Sequence, residues 1–337
     1  MTHTSEWVSP GHPDKLADFI TSYILDRHLE RDPLARYAVE CLVKDNRVVL
    51  AGEVSSSAGF SDSELADFAR AAVRQVGYTR DYASRWGKGD TICADDLEVE
   101  VLIGRQSPDI AAGVNGGGWG DQGIFWGMAT STGSFDHLPV DYWLARDIGR
   151  RIVKSGVGGI DVKTLVSVGD DGHVEEIFAA VPLLGEDTAP VRALIYDSLP
   201  PSHAAKVIVN GAGMFRAHGP VADCGVTGRK LAVDFYGGNC RVGGGSPWGK
   251  DASKADVTLN VHARHVALTA LGGLKVPTAY AALSCCIGRP EVRVRLLGAD
   301  HAELDSWTID LPPEEVIAMH GLREPNFARR CANGLFV

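Results

Sequence analysis

The chain has 337 residues and is 45% hydrophobic, which supplies apolar area for about two or three packed units. Its net charge of −10 excludes nucleic acid and anionic membrane as general partners, so an anionic ligand must be held by a local cationic cluster. No segment approaches the ~20 continuous apolar residues that span a bilayer, no basic stretch and apolar run open the chain, and none of its seven cysteines forms a C-x-x-C pair; a soluble cytoplasmic protein without structural zinc is expected.

Leu16, Phe19, Ile20, Tyr23 and Ile24 follow helical spacing and Pro13 suits a first turn, so a helix is predicted to start beside His12 and Asp14. Tyr37 to Val43 and Arg47 to Val54 read as strands joined by a tight turn at Asp45-Asn46. That register sets Glu40 opposite Ala51 and Glu53 diagonally on the same face. The capping box Ser61 to Glu64 opens a second helix that stops at Gly77, and Leu97 to Ile103 alternates as a half-buried strand. Gly104 to Gly123 is glycine-rich and reads as a loop, a candidate lid.

The pattern then renews, with a helix through Leu144, Ile148 and Ile152 ending near Gly156, and strands Val162 to Val168 and Val174 to Val181. A third round has a strand from Leu231 to Phe235, the glycine-dense Gly237 to Gly249, a helix from Asp256 to Leu271, and strands Ala281 to Ile287 and Val292 to Leu297. The expected class is α+β, three similar sheet-plus-helix units with mainly antiparallel sheets, divided at 1–108, 109–213 and 214–337.

Basic groups concentrate in two glycine-rich stretches, Gly228-Arg229-Lys230 and Gly243-Gly244-Gly245 with Lys250 and Lys254. Glycines let backbone amides approach phosphate oxygens and the cations neutralise them, so these stretches suggest a polyphosphate cradle. It is not a Walker loop, because no G-x-x-x-x-G-K-[ST] occurs. Taken singly, Arg229 and Lys250 read more readily as solvated charges, His12 and Asp14 as helix-start residues, Glu40 and Glu53 as exposed strand residues, and Asp121 and Asp223 as turn formers.

The motifs taken together are more specific. Gly11-His12-Pro13-Asp14-Lys15, Gly104 to Asp109, Gly120-Asp121-Gln122-Gly123, Asp223 to Lys230, Asp234 to Gly238 and Gly249 to Asp256 occur in an order that resembles the methionine adenosyltransferases. The resemblance runs from Glu6 to about Phe336. It implies approximate threefold symmetry and synthesis of S-adenosylmethionine: methionine sulfur attacks C5′ of ATP, and the expelled triphosphate is hydrolysed to pyrophosphate and phosphate.

By the same resemblance, His12, Lys163, Arg229 and Lys250 are catalytic, and ATP contacts extend to Lys15, Asp121, Asp161, Phe215, Lys230 and Lys254. Methionine would meet Glu53, Gln106, Asp223 and Lys254. Asp14 and Asp256 match magnesium positions, with two ions per site implied, and Glu40 matches a potassium position. The resemblance also implies a homodimer with active sites at the subunit boundary, with dimer and tetramer both open.

Overall fold

A helix that is buried on nearly every side runs through the N-terminal part of the protein. The computed structural model describes residues 2–87, 89–105, 117–132, 135–199 and 205–336. That helix, α1, spans Pro13–Arg31, and its buried face includes Asp14, Lys15, Asp18 and Asp26 beside Leu16, Ile20 and Ile24. A charge taken out of water must find a partner, so α1 dictates where oppositely charged and hydrogen-bonding groups converge.

Strands β1 (Thr2–Val8), β2 (Arg36–Lys44), β3 (Arg47–Ser55) and β4 (Glu98–Arg105) precede β5 (Gly123–Thr130). Helices α2 (Asp62–Val76) and α3 (Arg80–Trp86) lie between β3 and β4. Then follow α4 (Val140–Ser155), β6 (Lys163–Gly169), β7 (Val174–Ala180), α5 (Ala189–Tyr196), β8 (Lys206–Val209) and β9 (Gly225–Val226). The chain continues through α6 (Leu231–Asp234), α7 (Ala255–Leu274), β10 (Thr278–Cys285), β11 (Glu291–Leu297) and β12 (Glu303–Asp310) to α8 (Pro313–Met319) and α9 (Phe327–Asn333).

The strands form three four-stranded sheets, ordered β4-β3-β2-β9, β1-β6-β7-β8 and β12-β11-β10-β5. Helices α1 and α2 cover the first, α4 the second and α7 the third, the three-unit α+β arrangement expected. Each sheet borrows a strand from elsewhere in the chain: β1 joins the sheet of β6 to β8, β5 that of β10 to β12, and β9 that of β2 to β4. Pairing is mainly antiparallel, with β3–β4 and β7–β8 parallel.

The hairpin register is the one read from Asp45-Asn46, with Glu40 opposite Ala51 and Glu53 opposite Ala38. The capping box at Ser61 and Glu64 is formed in full. One expectation is corrected: Leu231 to Phe235 is not a strand but the short helix α6 and its cap. Its short apolar run gave way to tertiary demand, because a helical turn delivers Asp234 to Lys15 and to the Trp248 indole.

The C-terminal helix is fastened to α1 through one side chain. Both carboxylate oxygens of Asp26 accept from the first amides of α9, Phe327 N at 2.8 Å and Ala328 N at 2.9 Å. Burial nonetheless pushes the Asp26 carboxyl up to about 6. Asp26→Ala is expected to cost about 1–3 kcal/mol and to speed amide exchange in α9 ahead of the rest of the protein. Unaltered exchange at Phe327 and Ala328 would show that this carboxylate does not anchor the helix.

Candidate active site

The start of α1 sets the geometry. His12 is its N-cap, Pro13 enters the first turn, and the His12 Nδ1 accepts from Asp14 N at 3.1 Å. That bond leaves Nε2 to carry the imidazole proton. Burial lowers the His12 pKa to about 3, assisted by the charges of Lys163 and Lys230, so the ring is a neutral donor at ordinary pH.

Strand β9 brings the next groups against the same turn. A Cβ at Gly225 would stand 2.1 Å from the Pro13 carbonyl oxygen, so only glycine permits this approach. Val226 N then donates to Asp14 Oδ1 at 2.9 Å, Lys230 Nζ donates to Oδ2 at 2.6 Å, and Arg229 stands 3.6 Å from Oδ1. Burial works against ionisation of Asp14, but the hydrogen bonds from Lys230 and Val226 outweigh it and hold the pKa below the usual value.

Beside this turn lies a cavity of about 250 Å³ lined by His12, Asp161, Lys163, Phe215, His218 and Asp223 among others. Larger cavities exist, including one of about 540 Å³ bordered by Asp45, Arg80 and Cys93, but it gathers none of the residues expected for chemistry. Asp161 precedes β6 and accepts from Gly219 N at 2.8 Å through Oδ2. Its Oδ1 is buried without a partner among the described residues. Burial, reinforced by the nearby Asp223 charge, pushes Asp161 up to about 6 against the pull of Lys163. An orphaned acceptor beside an aromatic ring is suited to an N–H or O–H of a flat, polar ligand.

His218 was not anticipated. It is fully buried, with Nδ1 2.6 Å from the Arg216 carbonyl oxygen and Nε2 2.6 Å from the Tyr82 hydroxyl. Tyr82 in turn accepts from Ile160 N at 2.9 Å, so this network holds the segment just before Asp161. The available signal was the four-residue spacing of Tyr78, Tyr82 and Trp86, whose rings pack against His218.

A second group forms where the glycine-rich loop meets β2. Gly249, at φ +72°, lies where a Cβ would stand 2.1 Å from the Val39 carbonyl oxygen. This contact seats Lys250, whose Nζ lies 2.5 Å from Asp256 Oδ2, while Gly245 N donates to Oδ1 at 2.7 Å. Glu40 is held above its usual pKa by burial, with Lys250 opposing. Thr227 joins the two groups: it follows Val226 and donates through Oγ1 to the Cys41 carbonyl on β2.

The other expected residues are more scattered. Lys254 caps α7, Glu53 lies along β3 from Ala51, and Asp121 is exposed, accepting from its neighbour Gln122 N. Lys15 does not open into the cavity. It is buried between Asp234 at 2.5 Å and Asp18 at 3.1 Å, with its ammonium 4.6 Å from the Trp248 ring. Gln106 and most of the candidate lid lie outside the described residues.

The comparisons agree on one family. Residues 1–108 match the S-adenosylmethionine synthetase N-terminal domain, and residues 217–337 match its C-terminal domain. An S-adenosylmethionine synthase of Acholeplasma laidlawii is 34% identical over 368 residues, covering 99% of this chain and 93% of the relative. S-adenosylmethionine synthase 1 of Rhodospirillum rubrum is also 34% identical, with coverage of 99% and 92%. A solved structure described as an unusual S-adenosylmethionine synthetase from Campylobacter jejuni superposes with a TM-score of 0.88 at 26% identity, covering 99% of this chain and 94% of that one. With the motif-bearing residues gathered around α1 and β9, the chain belongs to the S-adenosylmethionine synthetase family.

Proposed function

We propose that this chain transfers the adenosyl group of ATP to the sulfur of L-methionine and then cleaves the departing triphosphate to pyrophosphate and phosphate. Family membership supports the transfer. The observation that carries the residue assignment is the shared cavity of His12, Asp161, Lys163, Phe215 and Asp223. In this reading Phe215 stacks on the base and the orphaned Asp161 Oδ1 accepts a nucleotide hydrogen. Neutral His12 donates from Nε2 toward the oxygen released from C5′, and Lys163 faces the growing negative charge. Arg229, Lys230 and Lys250 hold the phosphates, Lys254 the methionine carboxylate, and Glu53 and Asp223 its ammonium.

Divalent metal fits the donor set only in partnership with substrate. Among the described residues no three His, Cys, Asp or Glu converge to cage an ion. Single carboxylates such as Asp14 and Asp256, each paired with a lysine, instead suit magnesium, which takes one or two carboxylates and completes its shell with phosphate oxygens and water. Bound there, magnesium would neutralise the polyphosphate. Glu40, a strand carboxylate beside Lys250, is the candidate for potassium.

The outward face of the first sheet supports a homodimer. Leu42 and Leu102 are 40% and 56% exposed there, beside Glu40, and a second subunit would cover them while completing each site. The cysteines of the described chain are all unpaired, in keeping with a cytoplasmic location, and no described helix is long and apolar enough to cross a membrane.

Incubation with ATP, magnesium, potassium and methionine should yield a sulfonium product by mass spectrometry together with pyrophosphate and phosphate. Phosphate without sulfonium would identify a hydrolase, and ATP binding without either would identify a silent nucleotide-binding subunit. Asp223→Asn should raise the methionine KM about tenfold or more while changing that for ATP little. An unchanged methionine KM removes Asp223 from that role.

A further inference from the structure

Arg146 on α4 and Arg264 on α7 line a cavity of about 290 Å³ that the proposed reaction does not use. Both are more than nine-tenths buried, at 6% and 7% exposure. The Arg264 guanidinium is met by the backbone carbonyls of Met128, Asp136 and His137, and by no carboxylate within ion-pair distance among the described residues. Arg146 has the Asn333 carbonyl at 3.3 Å and the Asp136 carboxylate at 3.6 Å, and Asp136 is itself 68% exposed. Of the two buried cations, only Arg146 thus has a carboxylate within ion-pair distance among the described residues, and that carboxylate is largely solvated.

Carbonyl dipoles recover only part of the cost of burying a guanidinium, and the Phe336 ring, 5.9 Å from Arg264, adds a small cation–π contribution. Among the described residues lining the cavity, the exposed Asp136 is the only carboxylate. Tyr142 is committed, since its hydroxyl donates to the Val233 carbonyl at 2.7 Å, so the arginines are the recognition groups.

We infer that this cavity is a binding site for a small oxyanion, a phosphate or an organic carboxylate, held between Arg146 and Arg264. Guanidinium N–H groups suit the oxygens of such groups, and a cavity of about 290 Å³ has ample room for one. The ligand replaces the exposed Asp136 carboxylate as the counter-charge of Arg146.

Calorimetric titration of the full chain with inorganic phosphate and, separately, with succinate tests this and separates the two sources. Whichever anion binds here should lose at least tenfold in affinity in Arg146→Gln, while adenosyl transfer by that variant persists. Because Arg264 clamps three carbonyls and its loss could unfold the protein, Arg146→Gln is the diagnostic variant. Selenate diffused into crystals should give an anomalous peak between the two arginines. Binding of neither anion, affinities that Arg146→Gln leaves unchanged, or selenate absent from this cavity would each overturn the inference.

Discussion

Replacing Lys163 with methionine is expected to slow sulfonium formation by about two to three orders of magnitude, the ~3–4 kcal/mol typical of removing one preorganised donor to developing charge. Lys163 is exposed at the start of β6, and its backbone keeps its ladder partners Val8 and Ala180, so stability should change by no more than about 0.5 kcal/mol. The same variant has a second readout. After burial, Lys163 is the largest influence lowering the His12 pKa to about 3, so its removal should move the imidazole titration upward. A histidine depressed in the folded state binds its proton more readily unfolded, so its contribution to stability falls as pH drops from about 6.5 toward 3. In Lys163→Met that window narrows. Near-normal single-turnover rates with an unmoved His12 resonance would place Lys163 away from the reacting bond.

Local chemistry made much of this protein readable. The Asp45-Asn46 turn determined the Glu40–Ala51 register, the Ser61–Glu64 box marked α2, and His12-Pro13 marked α1. The candidate site residues were named from the resemblance of their motifs, and glycines beside them permit the close backbone approaches seen at Gly225 against Pro13 and Gly249 against Val39. What stayed hidden is non-local. Nothing within Thr2–Val8 tells it to pair with β6 more than 150 residues later, or Gly123–Thr130 to pair with β10. β12 is exposed along its whole length and so carries no burial signal. His218 depends on three aromatic rings and a tyrosine hydroxyl from another part of the chain, a setting that its neighbours in sequence do not announce.

Lys15→Met should be the most destabilising of the single substitutions considered, at about 3–5 kcal/mol, because it strips a buried cation from two buried carboxylates. Lys15 was expected from its motif to touch ATP, yet its ammonium is enclosed by Asp18, Asp234 and the face of Trp248. Burial opposes the charge on Lys15, but Asp234 and Asp18 hold its pKa well above the usual value. Asp18 is pushed by burial up to about 7 even with Lys15 present, and Asp234 is also raised. A carboxyl raised in the folded state contributes stability below its unfolded pKa, near 4, that is lost as pH rises through about 7. Without Lys15 both carboxyls rise further, so the deficit should be smaller near pH 5, where they can stay protonated, and larger near pH 8. Urea unfolding at the two pH values measures the difference, and Asp234→Asn in the same background should recover part of it. The variant also separates structure from catalysis. Asp18 Oδ1 accepts from Gly228 N at 2.8 Å, so the ion cluster underlies the loop that presents Arg229 and Lys230. Activity should therefore fall in step with the folded fraction, whereas a large loss of turnover in fully folded Lys15→Met would mean that this lysine reaches the nucleotide after all.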